Sequence, residues 1–429
     1  MEIYIPVIMA FILLFLGVPV AVSLLSSAIV YFAFITDTMP LTMIVQKMVS
    51  SNMSYALLAV PFFILAGLIM NSAGITQQMM RFCDLLLGHK VGGLAQVNVL
   101  LSTINGGICG SGAADAAMQC KILVPEMSKR GYPRAFSAAV TAASSLIAPM
   151  IPPGVALILY GVMTETSIGK MFVAGIVPGI LMCIAEMVVV VVVSHKNKYP
   201  PSRDHRAPLK EVLISLKDSI WALIVPVVII GGLRAGLFTA TEGAALIIVV
   251  SMLVGFFIYR VLSPKQLPGI LKEAFRSTSS IMFMILSAVV FGMYLSWARI
   301  PQSITTGMLA FTNSPAVFMI LTTVLLLIFG MFISSTSLLM IMTPLLFPVA
   351  QAYGINAVQF GILMILNCAV GSLTPPLGGV MYLVCKMCDV TIVQFVKHVW
   401  PFIVALIVLI GLIMAWPQLT TFLPDLIYS

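Results

Sequence analysis

The chain has 429 residues, of which 61% are hydrophobic and only 8% charged, and its formal charge is +8. A soluble domain carries roughly 45–50% apolar and about 25% charged residues. Too little polar surface remains here to cover a water-soluble core, which excludes a soluble enzyme, a nucleic-acid binder and a disordered protein. At about 20 residues per spanning helix, the chain has room for about ten crossings of a lipid bilayer with short loops.

Apolar segments run at 3–35, 54–72, 91–127, 133–163, 171–194, 218–233, 236–259, 278–298, 314–350, 357–385 and 399–416. The first lacks a basic leader and exceeds a signal-peptide core. It is expected to supply two short crossings broken near Gly17-Val18-Pro19, with one long tilted helix as the alternative. The hydrophilic stretch 194–217, SHKNKYPPSRDHRAPLKEVLISLK, divides the chain nearly in half. Its later part, 209–216, reads as an amphipathic interfacial helix. Seven cysteines form no disulfide framework. Cys385 and Cys388 make a C-x-x-C without the second pair or the histidine that a zinc set requires.

The two halves repeat each other. APMIPPGVALILY at 148–160 corresponds to GSLTPPLGGVMYLV at 371–384, with Pro152 and Pro375 separated by 223 positions. The same offset carries Ser111 to Ser334, so Gly110-Ser111-Gly112 matches Ile333-Ser334-Ser335. Interrupted hydrophobic segments at corresponding places in two halves are the sequence signature of a secondary transporter with internal repeats. Five crossings plus one re-entrant hairpin per half is an odd number of crossings, so the second half is expected to be inverted relative to the first. With the N-terminus outside, only Lys47, Lys170, Arg234 and Arg299 of the 22 basic residues fall on the outer side, as the positive-inside rule asks. The expected fold is therefore an all-α polytopic membrane protein of two inverted repeats, each with a re-entrant helical hairpin (91–127 and 314–350) and a broken helix.

Four interruptions carry the chemistry. The first is Asn105-Gly-Gly-Ile-Cys-Gly-Ser-Gly-Ala-Ala-Asp115. A helix does not run smoothly through so many glycines, and free backbone is prohibitive in lipid. The segment is a hairpin tip lining a wet cavity, or else a close helix contact. At a tip, the N–H groups of the returning arm attract anions, while carbonyls and the Ser111 hydroxyl suit Na⁺, a hard cation. The second is Ser334-Ser335-Thr336-Ser337, either a second tip with a cation site or hydroxyls bonded back to helix carbonyls. The third and fourth are the proline breaks at Pro149, Pro152 and Pro153, and at Thr374, Pro375 and Pro376. There lost helix bonds free carbonyls as cation ligands, unless the prolines only kink the helices. The candidate cation ligands are Asn105, Gly110, Ser111, Gly112, Pro149, Pro152, Ser334, Ser335, Thr336, Gly371, Thr374 and Pro375.

A substrate anion is expected at Ser111, Asp115, Ser337, Gly378 and Arg299. Asp115 begins the returning arm, where it caps the helix or binds an ion. Arg299, at the outer face, attracts an anion or anchors at the interface. Glu242 is read as a subunit or interdomain contact, and Glu186 as a packing-level polar contact. No paired carboxylates or histidine relay of the kind a proton pump uses are present, which favours Na⁺ over H⁺ coupling.

NGGICGSGAADAA (105–117), VPEMSKRGYPRAFSAAVTAASSLIAPMIPPG (124–154), GLFTATEGAA (236–245) and GSLTPPLGG (371–379) together resemble the large transmembrane subunit of tripartite ATP-independent periplasmic (TRAP) transporters. The likeness extends over essentially the whole chain. It implies Na⁺-coupled uptake of an organic anion across the bacterial inner membrane by an elevator mechanism. It also implies two partners, a small four-helix membrane subunit and a periplasmic substrate-binding protein. The family's Na⁺ pattern falls on Ser111 and Gly112, on Ser334 to Ser337, and on the Pro152 and Pro375 loops; the second tip is richer in Ser than the pattern. The wording looks closest to sialic-acid members, with C4-dicarboxylates as another substrate class. On this reading scaffold helices occupy 1–75 and 218–300. Transport elements occupy 76–170 and 301–390, a connecting helix and basic loop 171–217, and a last helix 391–429. A stand-alone Na⁺/dicarboxylate symporter of similar fold is the competing reading. A membrane-embedded enzyme lacks support, since H-E-x-x-H, a G-x-S-x-G elbow and an acidic pair are all missing.

Overall fold

A computed structural model describes residues 2–36 and 39–428, and the described residues are helical without strands. The first half begins with two short helices, α1 (Ile5–Phe15) and α2 (Val20–Val30), the latter running on into a π-helical turn at Tyr31–Ile35. Gly17, at φ +82°, makes the break between them. The chain start at Glu2–Tyr4 packs against Tyr31–Ile35, so α1 and α2 fold back on each other. The expectation of two short segments, rather than one long helix, therefore holds.

There follow α3 (Thr42–Asn52), α4 (Ala59–Ser72) and α5 (Ile75–Leu87). The first hairpin is α6 (Gly93–Cys109) and α7 (Gly112–Lys129), and the first broken helix is α8 (Arg134–Ser144) and α9 (Val155–Met163). The half closes with the 30-residue α10 (Ile168–Asn197).

The second half runs α11 (Leu209–Arg234), α12 (Ala240–Leu253) with a π-helical turn at Val254–Ile258, α13 (Leu267–Trp297) and α14 (Ile300–Phe311). Its hairpin is α15 (Pro315–Gly330) and α16 (Ser335–Ala352), and its broken helix is α17 (Ala357–Gly371) and α18 (Gly379–Cys388). Then come α19 (Ile392–Ala415) and α20 (Gln418–Tyr428). Seven helical segments among the described residues are long and apolar enough to cross a bilayer, and five shorter apolar ones accompany them. The segment 209–216 is not a separate interfacial helix. It forms the first turns of α11, because no glycine or proline interrupts the helical run until Pro226.

The repeat seen in two motifs extends through the architecture. Helices α7 and α16 are both 18 residues long, and their starts, Gly112 and Ser335, differ by the same 223 positions. So do the starts of α8 and α17, Arg134 and Ala357, and the two π-helical turns. The Pro152–Pro153 and Pro375–Pro376 bonds are both cis. Packing between halves is reciprocal. Helix α2 packs on α13 while α12 packs on α4; α8 packs on α19 while α17 packs on α10; α9 packs on α16 while α18 packs on α7. Exchange of equivalent partners is the pattern of an isologous pairing, here within one chain.

A candidate cavity for ion and solute

Each hairpin tip is set by local chemistry. Helix α6 ends at Gly110, which adopts φ +58°. A side chain there would meet the Pro153 carbonyl at 2.6 Å, so glycine lets tip and break touch. The contact is held by the Val155 amide, which donates to the Gly110 carbonyl at 3.1 Å. Gly112 likewise lies against the Ser145 carbonyl, which an added Cβ would approach to 2.8 Å. Ser111 caps α7 in an extended conformation without a side-chain capping bond. Its hydroxyl is left for the cavity.

At the second tip Ser334 caps α16. Its hydroxyl donates to Ser337 Oγ at 2.6 Å and accepts from the Ser337 amide at 3.4 Å. These two hydroxyls thus bond to each other and to the helix start, not back to upstream carbonyls. Beside them, Gly330 of α15 and Gly371 of α17 approach so closely that a Cβ on either would lie 2.7 Å from the other's Cα.

Both tips and both breaks line one cavity of about 470 Å³. Of the residues singled out by sequence, Gly110, Ser111, Gly112, Pro149, Ser334, Ser335, Thr336 and Ser337 line it. The opposite wall comes from α4 and α13 and carries Asn71, Glu273 and Ser277. Sequence reading missed these three. Glu273 and Ser277 sit four apart on α13, on one helix face with Ile281, and that stripe was the available signal. Asn71, beside Ser72 at the end of an otherwise apolar helix, offers none.

Asn105 and Asp115 lie behind the first tip, in a buried polar network. The Asp115 carboxylate accepts from Ser102 Oγ at 2.6 Å, Gln119 Nε2 at 2.7 Å and Asn105 Nδ2 at 3.3 Å. Ser102 Oγ also bonds to Ser144 at 2.9 Å, and Ser144 donates to Asn98 Oδ1 at 2.9 Å. All these residues are buried. The oxygens Asn105 Oδ1 and Gln119 Oε1 have no hydrogen-bond partner among the described residues. Asp115 therefore does not face the cavity. Its place in the first turn of α7, where the helix start favours a negative charge, makes it an organiser of the hairpin from within.

The remaining site residues lie away from the cavity lining. Thr374 Oγ1 bonds back to the Val370 carbonyl at 2.8 Å, and the Gly371 carbonyl accepts from the Thr374 amide at 3.0 Å. Gly378 fits a turn so tight that a Cβ would meet the Ser372 carbonyl at 2.5 Å. Pro152 is buried and Pro375 half-buried in their breaks. Arg299 is exposed at the start of α14, with φ +53°, and the cavity lining does not include it. Glu242 is exposed, and its carboxylate has a local role. It accepts from the Thr239 amide at 2.7 Å and completes a capping box at the start of α12. Glu186 is fully buried, and its carboxylate oxygens have no partner among the described residues.

A profile described as "Tripartite ATP-independent periplasmic transporter, DctM component" matches residues 7–419. The chain belongs to this family. As a DctM component it is the large permease of a TRAP transporter, a multi-pass protein of the bacterial inner membrane. It is 38% identical to the sialic acid TRAP transporter large permease protein SiaM of Vibrio cholerae, over 96% of each chain. It is 35% identical to the sialic acid TRAP transporter permease protein SiaT of Haemophilus influenzae, over 99% of this chain and 69% of that one. It is 34% identical to the C4-dicarboxylate TRAP transporter large permease protein DctM of Pseudomonas aeruginosa, over 94% and 93%. Among solved structures the fold is similar to the YdaH transporter of Alcanivorax borkumensis (TM-score 0.64, 14% identical, 95% of this chain and 98% of that one). It is also similar to MtrF of Neisseria gonorrhoeae (TM-score 0.56, 12% identical, 96% and 94%).

Proposed function

We propose that this DctM component moves an organic anion into the cytoplasm, driven by Na⁺, and that the anion is sialic acid or a related carboxylate. The observation that carries the reading is the shared cavity, in which both tips and both breaks meet polar residues of α4 and α13. The helix starts at Ser111 and Ser334 border it, and a helix N-terminus favours a carboxylate. The hydroxyls of Ser111, Ser335 and Thr336 line the cavity, and carbonyls at the breaks add hard oxygen donors that suit Na⁺. Behind the tip, the orphaned oxygens of Asn105 and Gln119 beside Asp115 add a second oxygen-rich environment. The sialic-acid preference rests on two relatives whose names carry it; the C4-dicarboxylate relative keeps dicarboxylates in the panel.

Two mechanical features extend the proposal. Elements 76–170 and 301–390 form the moving body, and 1–75 with 218–300 form the scaffold; the cavity lies between them, as an elevator needs. The second half is inverted, a reading supported by the odd number of crossings, the charge asymmetry and the reciprocal packing. The solute arrives on a periplasmic binding protein, and a small membrane subunit covers part of the scaffold. SiaT extends well beyond this chain, as does the isethionate TRAP transporter permease protein DctMQ, of which the chain covers 65%. That extra length is room for a fused small subunit.

The test is uptake by membrane vesicles holding the full complex, with labelled sialic acid, C4-dicarboxylates and isethionate, with and without binding protein and Na⁺. The expected result is sialic-acid uptake that needs both. Uptake that proceeds without binding protein supports the stand-alone symporter, and uptake unchanged when choline replaces Na⁺ removes the coupling.

A further inference from the structure

Among the described residues, Cys385-x-x-Cys388 belongs to no group of three or more His, Cys, Asp or Glu side chains placed to hold a metal ion. The structure gives one of these cysteines a different partner. Helix α18 packs against α7, the returning arm of the first hairpin. This brings Cys388 Sγ to 3.4 Å from Cys120 Sγ, from opposite halves of the chain. Both thiols are buried, at 5% exposure, and so is Cys385 one turn before Cys388. All seven cysteines are free.

Two thiols in van der Waals contact are a chemical unit. A disulfide has its sulfurs about 2.05 Å apart, so closing this pair requires a contraction of about 1.4 Å. Small side chains on two packed helices supply such a shift by torsion about Cα–Cβ. Burial keeps bulky reagents away but admits a small neutral oxidant. We propose that Cys120 and Cys388 are an oxidisable dithiol that closes to a disulfide when a hydroperoxide reaches it, joining the first hairpin to the second broken helix. The chemistry balances in two steps. The thiolate of one cysteine attacks the peroxide, the O–O bond breaks, and a sulfenic acid and one molecule of water or alcohol form. The second thiol then attacks the sulfenic sulfur, the S–S bond forms, and a second water leaves. The two sulfurs are oxidised, and the peroxide is reduced. In the reducing cytoplasm the pair rests as thiols, so the bond marks oxidative stress and is undone by thiol exchange. Cys385 lies one turn away and is the competing partner.

The test uses the full chain in proteoliposomes treated with hydrogen peroxide, then blocked with an alkylating reagent and analysed by mass spectrometry. The expected result is two fewer alkyl groups per chain than in untreated, unfolded and alkylated protein, and a linked peptide pair containing Cys120 and Cys388, both reversed by dithiothreitol before blocking. Cys388→Ser is expected to abolish the link, and Cys385→Ser to leave it intact. Full alkylation of Cys120 and Cys388 after peroxide, a link to Cys385 instead, or sulfinic acids without any link would each overturn the assignment.

Discussion

Ser111 and Asp115 stand four residues apart in one motif, and the structure separates their work. The Ser111 hydroxyl lines the cavity, whereas the Asp115 carboxylate is turned into the hairpin and satisfied by three donors. Ser111→Ala removes one oxygen donor from the cavity and leaves the hairpin's interior intact. Uptake is expected to fall and its half-saturating Na⁺ concentration to rise several-fold, with an unchanged melting temperature. An unshifted Na⁺ titration would remove Ser111 from the cation site. Asp115→Asn keeps the shape but turns an amide donor toward at least one of Ser102, Gln119 and Asn105. A buried polar group left unpaired costs about 1–3 kcal/mol. The expected outcome is therefore a lower melting temperature together with lost uptake, and Asp115→Asn protein of native thermal stability would contradict the organising role. The sequence showed that these residues share a tip. It did not show which faced inward, because direction depends on how α6, α7 and α8 pack. The local role of Glu242 was legible in sequence: Thr239-x-x-Glu242 is a capping-box pattern, and the carboxylate bonds to Thr239 as that pattern asks.

At the scale of elements, glycines decide where helices approach. Gly67 on α4 sits against the first hairpin, and a Cβ there would meet the Ile108 carbonyl at 2.7 Å. A backbone atom cannot swing aside as a side chain can, so Gly67→Ala forces α4 and α6 apart. Overpacking of this kind costs about 1–3 kcal/mol. Gly67→Ala is expected to lower the melting temperature and slow uptake, while Gly231→Ala, where nothing lies within 4 Å, changes neither. Equal behaviour of the two variants would show that this contact is not tight in the working protein. Helix boundaries were well marked wherever small or rigid residues forced them, as at Gly110 and at the two Pro-Pro pairs. They were poorly marked at 209–216, where a polar start runs without interruption into an apolar span. The cavity wall was marked only in part: the Glu273–Ser277 stripe on α13 could be read, whereas Asn71 on α4 acquires meaning only when the tips close over it.

At the scale of the molecule, the proposed division into a moving body and a scaffold has a direct consequence. A bifunctional thiol reagent joining Asn71→Cys to Ser335→Cys, in a chain whose own cysteines are Ser, spans the cavity from one body to the other. Uptake is expected to stop on reaction and to return when a cleavable reagent is cut; undiminished uptake in the joined protein would contradict sliding. The 223-residue offset was visible in two short motifs, and the structure extends it to helix starts and π-helical turns. The exchange of partners between halves was not legible, because it depends on a relation between distant surfaces that no local pattern encodes. That exchange also bears on biosynthesis. Helices α2 and α4 cannot meet α13 and α12 until roughly a repeat length more of chain has been made. At about 5–20 residues per second, the wait is about 10–45 s. Throughout that time the first half sits at the membrane with its inward faces uncovered. Its early survival therefore falls to the insertion machinery, and a pause or truncation within the second half should leave the first half to quality-control proteases.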